Sequence, residues 1–130
     1  MIVVDSSVWI AQLRRGETPA LRKFREIEDP FEAILVGDLV LLEVLQGARN
    51  EAHARTIELM LRKFAIEPML DEVIAVKAAV NFRMLRSVGI TLGKTVDLII
   101  ATFCAQRGHS LLHDDRDFDL IAPHLGLAIA

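Results

Sequence analysis

Ile2-Val3-Val4-Asp5-Ser6-Ser7-Val8-Trp9-Ile10 joins a short apolar run to a capping sequence and then to the start of a helix-spaced apolar pattern. β-branched residues stopped by Asp-Ser-Ser read as a buried strand followed at once by a helix, because the acid and the hydroxyls accept from the helix's first free amides. Val8, Trp9, Ile10 and Leu13 fall at helical spacing until Gly16 ends the pattern. The same unit recurs downstream. Ala33 to Val36 reads as a second strand, Gly37-Asp38 as turn and cap, and Leu39 to Gln46 as a helix apolar on nearly every side, closed by Gly47. Ser110 to Leu112 reads as another strand, followed by a short helical turn within Asp117 to Pro123 and an edge strand over Leu127 to Ile129.

The intervening segments keep the alternation. Thr18-Pro19 opens a helix carrying Leu21, Phe24 and Ile27 on one face, and Asp29-Pro30 ends it. Ala54 to Arg62 is helical, and Phe64 to Glu67 is extended ahead of Pro68. Asp71 caps a long helix through Val73, Val76, Val80 and Met84 to Ser87, and Thr95 starts another that runs to Gln106 before Gly108. Strands alternating with helices imply an α/β fold with a mostly parallel sheet covered on both faces, since right-handed crossovers place helices there.

At 130 residues the chain fits one domain over 1–130, with no repeat or linker to divide it. Hydrophobic residues make up 52%, yet the longest apolar stretch, near Leu98 to Ala105, is far short of a membrane span. The start of the chain has no basic leader and meets Asp5 at once, and Cys104 is the single cysteine. These features predict a cytoplasmic protein with a reduced thiol and no membrane association. A net charge of −3 argues against nucleic-acid binding through one broad basic face. Basic residues are clustered locally, in Arg14, Arg15, Arg22, Lys23 and Arg25, then Arg62 and Lys63, then Arg83, Arg86 and Lys94. Each cluster is an ordinary solvated face by itself, and together they suit a phosphate backbone.

Four acids interrupt apolar segments: Asp5 ends Ile2-Val3-Val4, Glu43 lies inside Leu39 to Leu45, Asp97 precedes Leu98-Ile99-Ile100, and Asp115 follows Leu111-Leu112. Burying a lone carboxylate is costly unless it is paired, hydrogen-bonded or bound to a cation. Each acid also has a plainer reading. Asp5 would cap a helix, Asp97 would complement a helix dipole, Glu43 would pair with a distant arginine, and Asp115 would be one of the solvated acids of Asp114-Asp115-Arg116-Asp117. In open parallel sheets, ligands bind beyond the carboxyl ends of strands, and these acids lie at strand ends or on helices and turns next to them. Oxygen ligands without cysteine or histidine suit Mg²⁺ or Mn²⁺, and such ions support phosphodiester hydrolysis without a protein nucleophile. A phosphate-cradling Gly-rich loop is absent, the second aspartate of haloacid-type phosphatases is replaced by Ser7, and no nucleophile-elbow sequence surrounds Ser6 or Ser7.

Val4-Asp5-Ser6-Ser7-Val8-Trp9-Ile10, Leu42-Glu43-Val44-Leu45-Gln46-Gly47, Gly89-Ile90 with Asp97-Leu98-Ile99-Ile100-Ala101, and Leu111-Leu112-His113-Asp114-Asp115-Arg116-Asp117-Phe118 resemble, in order and spacing, the PIN-domain ribonucleases. Within them the chain is similar to the VapC toxins of toxin–antitoxin pairs, over essentially its whole length. The resemblance implies a three-layer α/β/α sandwich around a five-stranded sheet. It also implies Mg²⁺- or Mn²⁺-dependent endonucleolytic cleavage of RNA, homodimerisation, and inhibition by a cognate VapB-type antitoxin in a heterotetramer or larger assembly. Matched by position, Asp5, Glu43 and Asp97 are the core acids, Asp115 the fourth and Asp117 the next acid of that motif. Ser7 matches a small polar position that supports the first aspartate. His113 stands where Thr or Ser is common, which removes any role for that hydroxyl. A catalytically silent PIN-like binding module and a metal-dependent phosphatase are the alternatives. The intact acids speak against the first, and a comparison of RNA with a phosphate monoester separates the second.

Overall fold

In the computed structural model, which describes residues 1–130, the opening apolar run forms β1 (Ile2–Val4), and Asp5 caps α1 (Ser6–Leu13). There follow α2 (Pro19–Arg25), α3 (Pro30–Ala33), β2 (Ile34–Gly37), α4 (Asp38–Gln46), α5 (Glu51–Leu61), β3 (Ala65–Glu67) and α6 (Glu72–Ser87). The chain closes with α7 (Thr95–Arg107), β4 (Ser110–Leu112), α8 (Arg116–Leu125) and β5 (Ala128–Ile129). The five strands form one sheet in the order β3-β2-β1-β4-β5, with every pairing parallel.

That order fixes where a ligand belongs. The chain steps from β1 outward to β2 and β3, then returns to place β4 on the other side of β1. Right-handed crossovers that move in opposite directions put their helices on opposite faces, so α1 to α5 cover one face and α6 to α8 the other. The packing agrees: α1 meets α2 and α4, α4 meets α5, and α6 and α8 both meet α7. The reversal lies between β1 and β4, whose carboxyl ends open a crevice. Register holds the two ends level, with Val4 opposite Leu112 and the Asp5 amide donating to the Leu112 carbonyl at 2.9 Å.

The core is built on fully buried strand residues, Val3, Val4, Ile34, Leu35, Val36 and Leu111. Trp9 anchors α1 to the sheet. Its ring is 2% exposed, its Nε1–H donates to the Val4 carbonyl at 3.1 Å, and Phe24 and Phe64 meet it edge-on at 5.2 and 5.4 Å. Burying a side chain of this size contributes roughly 1.5–3 kcal/mol or more, and the indole bond fixes its orientation. On the other face, α6 and α7 are joined by a buried bond from Asn81 Nδ2 to Thr102 Oγ1 at 3.0 Å. Gly37 stands where β2 turns into α4, and a Cβ there would run into the buried Met69 side chain.

Some sequence expectations need correction. Asp29-Pro30 ends one helical segment but also opens α3, because proline at a first helical position loses no bond. α2 stops at Arg25, leaving Ile27 outside it and packed against the core. The short turn expected within Asp117 to Pro123 is a ten-residue helix, α8, capped earlier by Asp115 and carrying Pro123 near its end. The fifth strand pairs over Ala128–Ile129 only.

Candidate active site

Asp5 sits at the reversal point and is 4% exposed. One carboxylate oxygen is structural: Oδ2 accepts from the Ser7 amide at 3.1 Å and from the Ser7 hydroxyl. Oδ1 is buried and has no partner in the protein. The capping role explains Oδ2 and leaves Oδ1 unexplained, although an unsatisfied buried acceptor costs about 1–3 kcal/mol, more when it is charged. An oxygen kept in that condition fits a cation ligand.

Three further carboxylates share its field. Asp97 lies in the first turn of α7 and is 8% exposed. α7 leads into β4 and runs against it, which returns its first turn to the carboxyl rim. Burial first, then the charges of Asp5 and Asp115, push the Asp97 carboxyl up to about 6, with Lys94 opposing and Glu43 adding to the rise. Glu43 occupies the second turn of α4 and is half-buried. Burial and the Asp5 charge raise its carboxyl above the usual range, opposed by the Ser6 hydroxyl, which donates to Oε1 at 3.2 Å, and by Lys94. Glu43 forms no ion pair, so the distant-arginine reading has no support in the geometry.

The acidic run after β4 separates by partner. Asp115 is half-buried and caps α8 through an Oδ1 bond from the Asp117 amide at 2.9 Å, and it is the member of the run whose charge Asp97 feels. Asp114 is exposed and is spoken for by Thr18, whose hydroxyl donates to its Oδ2 at 2.9 Å. Asp117 is exposed in the first turn of α8. His113 holds Asp115 from behind: its Nδ1 accepts the Asp115 amide at 3.0 Å, so the ring proton is on Nε2, which donates to Asp119 at 3.2 Å.

Two features were not legible from the chain. Ser6 and Ser7 are consecutive, yet one reaches α4 and the other turns back to Asp5, because neighbouring helical positions diverge by roughly 100°. A hydroxyl pair at the start of a helix between two acids was the available signal. The second feature is a relay: Thr18 holds Asp114, the Asp114 amide donates to the Ser7 hydroxyl at 3.1 Å, and Ser7 donates to Asp5. The basic clusters are partly internal to the surface, with Arg25 paired to Glu17 and Arg62 to Glu58, both at 2.6 Å.

The carboxylates do not close into a ready-made cage, and no three His, Cys, Asp or Glu side chains are placed to hold an ion together. Two unit charges 4 Å apart repel by roughly 4 kcal/mol at an effective dielectric of 20, so a cation among these acids would relieve their repulsion. The residues still fit a hard cation, on the orphaned Asp5 Oδ1 and on a donor set made only of oxygens. No helix is long and apolar enough to cross a membrane.

The chain as a whole is similar to known proteins. A VapC ribonuclease of Mycobacterium bovis, Mb1587, is 29% identical over 126 residues, covering 94% of this chain and 92% of the relative, and ribonuclease VapC11 of Mycobacterium tuberculosis matches to the same extent. Among solved structures, FitAcB from Neisseria gonorrhoeae superposes with a TM-score of 0.78 at 17% identity, covering 99% of this chain and 96% of that one. DNA-bound VapBC from Salmonella typhimurium gives the same score and coverages at 18% identity. The family model described as PIN domain matches residues 2–122, a span that starts in β1, ends within α8 and contains all four acids, and the chain therefore belongs to the PIN-domain family.

Proposed function

We propose that the protein is a divalent-metal-dependent endoribonuclease, the toxin of a toxin–antitoxin pair. The observation that carries the reading is the buried, unpartnered Oδ1 of Asp5 at the reversal of strand order, surrounded by the charges of Glu43, Asp97 and, through Asp97, Asp115. The names of its relatives, VapC ribonucleases, support the activity, and the VapBC and FitAcB complexes support an antitoxin partner of the VapB type. A homodimer, joined with antitoxin into a heterotetramer or larger assembly, follows from the same likeness.

Asp5, Glu43, Asp97 and Asp115 would hold Mg²⁺ or Mn²⁺, with Asp117 adjacent. Such an ion, when bound, supplies a water of lowered pKa and neutralises charge on a phosphodiester. The chain's own residues prepare the site. Ser7 fixes the carboxylate plane of Asp5 through Oδ2 and so leaves Oδ1 as the free ligand atom. Ser6 holds Glu43 by Oε1 and leaves Oε2 without a protein donor, and burial with the Asp5 charge holds the carboxyl above the usual carboxylate range. His113 fixes the backbone that carries Asp115.

The test is incubation of the purified protein with total bacterial RNA in Mg²⁺ or Mn²⁺, beside a chromogenic phosphate monoester. Discrete RNA cuts that vanish with EDTA and in Asp97→Asn are expected. Undiminished cutting in EDTA would refute the metal site, hydrolysis of the monoester alone would point to a phosphatase, and inertness toward both would point to a silent module.

A further inference from the structure

We propose that a cleft beside Asp115 seats one unpaired nucleotide of the RNA next to the cut, with Lys23 and Arg116 holding its phosphate. The proposal rests on the nuclease reading and extends it to how the strand is held. The cleft has a volume of about 470 Å³ and lies between α2, the carboxyl end of β4, the start of α8 and β5. Ala20, Leu112 and Ile129 give it apolar walls, and Lys23, Asp115 and Arg116 share its lining. Leu112 is the β4 residue opposite Val4, and its carbonyl accepts from the Asp5 amide at 2.9 Å, so the cleft reaches the rim that carries the acids. Two bonds tie its walls together. The Thr18 hydroxyl ahead of α2 donates to Asp114 Oδ2 at 2.9 Å, and Lys23 Nζ donates to the main-chain oxygen of Ala130 at 3.2 Å.

The partners of the charged groups decide what the cleft takes. Three acids line it beside the two cations, and each already has a donor: Asp114 has Thr18, Asp119 has His113, and Asp115 has the Asp117 amide. The cations are not matched in this way. Arg116 is exposed, stands between Asp115 and Asp117 in sequence and pairs with neither, while Lys23 meets only a neutral carbonyl. The charge left without a partner is therefore positive, which suits an anion. A guanidinium presents a planar fork of donors that matches phosphate oxygens, and the ammonium adds a mobile point charge. A cavity of this size falls within the roughly 300–1,000 Å³ of clefts that hold small ligands. It has room for one base with its ribose and none for a duplex. Bases splayed out of the stack in single-stranded RNA are the ones that proteins reach, and the apolar walls offer such a base a face to lie against.

The test measures kcat/KM for the wild type, Lys23→Gln, Arg116→Gln and Arg55→Gln on a 5′-labelled single-stranded RNA spanning a site that the wild type cuts in total RNA. Arg55 is exposed on α5 and lies outside the cleft, so its variant removes the same charge elsewhere. Loss of a charge-assisted phosphate contact should lower kcat/KM by about tenfold or more in each cleft variant. The slope of log(kcat/KM) against log[KCl] should become shallower by about 0.7, the value for one neutralised phosphate on a single strand. Arg55→Gln should keep the activity and slope of the wild type. An abasic ribose on one side of the cut should cost the wild type about tenfold, the worth of one base lying against a protein face. Wild-type activity in either cleft variant would overturn the proposal, as would an equal fall in Arg55→Gln, which marks net charge instead of a contact. So would reduced activity with an unchanged slope, because that is the behaviour of a lysine that only secures Ala130. Tolerance of abasic residues on both sides of the cut would likewise empty the cleft of its base. A wild-type protein that cuts no RNA would defeat the nuclease reading itself, whatever the variants do.

Discussion

Asp97→Asn should make the metal-free protein more stable while abolishing its chemistry. Asp97 is 8% exposed, with Asp5 and Asp115 acting on it, and it keeps its proton to about 6 against an ordinary 3.8. Between roughly pH 4 and 6 the folded protein therefore holds a proton that the unfolded chain has released. Stability must fall as pH rises through that window and level off above it. The gap between the two values, at about 1.36 kcal/mol per pH unit, puts the cost of ionised Asp97 on the order of 3 kcal/mol at neutral pH. Asparagine keeps the shape and drops the charge. Its amide still lacks a partner, which trims the gain by about 1 kcal/mol and leaves roughly 2 kcal/mol, or about 5–10 °C in Tm for a chain of this size.

Thermal melts of both proteins at pH 5 and pH 7.5, in EDTA and in MgCl₂, measure each part. In EDTA the variant should melt higher at pH 7.5, with an advantage only about a third as large at pH 5, where folded wild type is mostly protonated at Asp97 and the same loss of about 1 kcal/mol is set against a smaller gain. Magnesium should then raise the wild type by mass action on the folded state and leave the variant nearly unmoved, closing or inverting the gap. A variant that melts below the wild type in EDTA at pH 7.5 would refute the reasoning, as would an advantage independent of pH.

Two other substitutions probe what supports the site. Ser7→Ala removes the hydroxyl between the Asp114 amide and Asp5, so stability should fall by about 1 kcal/mol in denaturant melts and RNA cleavage should drop more than tenfold. Cleavage at the wild-type rate would show that Asp5 needs no such support. Gly37→Ala drives a methyl into the buried Met69 side chain, which is 1% exposed, and should cost about 1–3 kcal/mol. An unchanged denaturation midpoint would mean that Met69 finds another rotamer without loss.

The strand-and-helix alternation could be read from the chain because its signals are local. Ile2-Val3-Val4 is β-branched, Asp5 caps within three residues, and Gly108 ends α7 in the left-handed region that favours glycine. What failed was local grammar with two meanings. Pro30 reads as a stop after α2 but starts α3, and Pro123 reads as the end of a turn although it sits inside α8, where a late proline sacrifices one bond to residue 119. Strand order was out of reach, since nothing in Ser110 to Leu112 says that it returns to β1 while β2 already occupies the other side. The site divides in the same way. Asp5, Glu43 and Asp97 announce themselves by apolar neighbours. The run from Asp114 to Asp117 has three acids equally able to cap a helix, and only Thr18, distant in sequence, and the field at Asp97 separate them.

The four acids proposed as the site also work against the fold, and the chain contains the means to keep that conflict in check. Each carboxylate belongs to a different element: Asp5 follows β1, Glu43 is on α4, Asp97 is on α7 and Asp115 opens α8. Repulsion among them acts between elements, where packing such as the Asn81 to Thr102 bond and the Trp9 anchor resists it. Three of the acids are each held by a donor that costs little: Ser7 for Asp5, Ser6 of α1 for Glu43, the Asp117 amide for Asp115. Asp97 has no such partner, and it is the one whose carboxyl rises to about 6. The strain is largest at Asp97, with Glu43 also raised, and Asp97 can shed it by taking up a proton. It follows that protons and a divalent ion compete for Asp97, so the metal concentration needed for half-maximal stabilisation should rise as the pH is lowered from 7 toward 5.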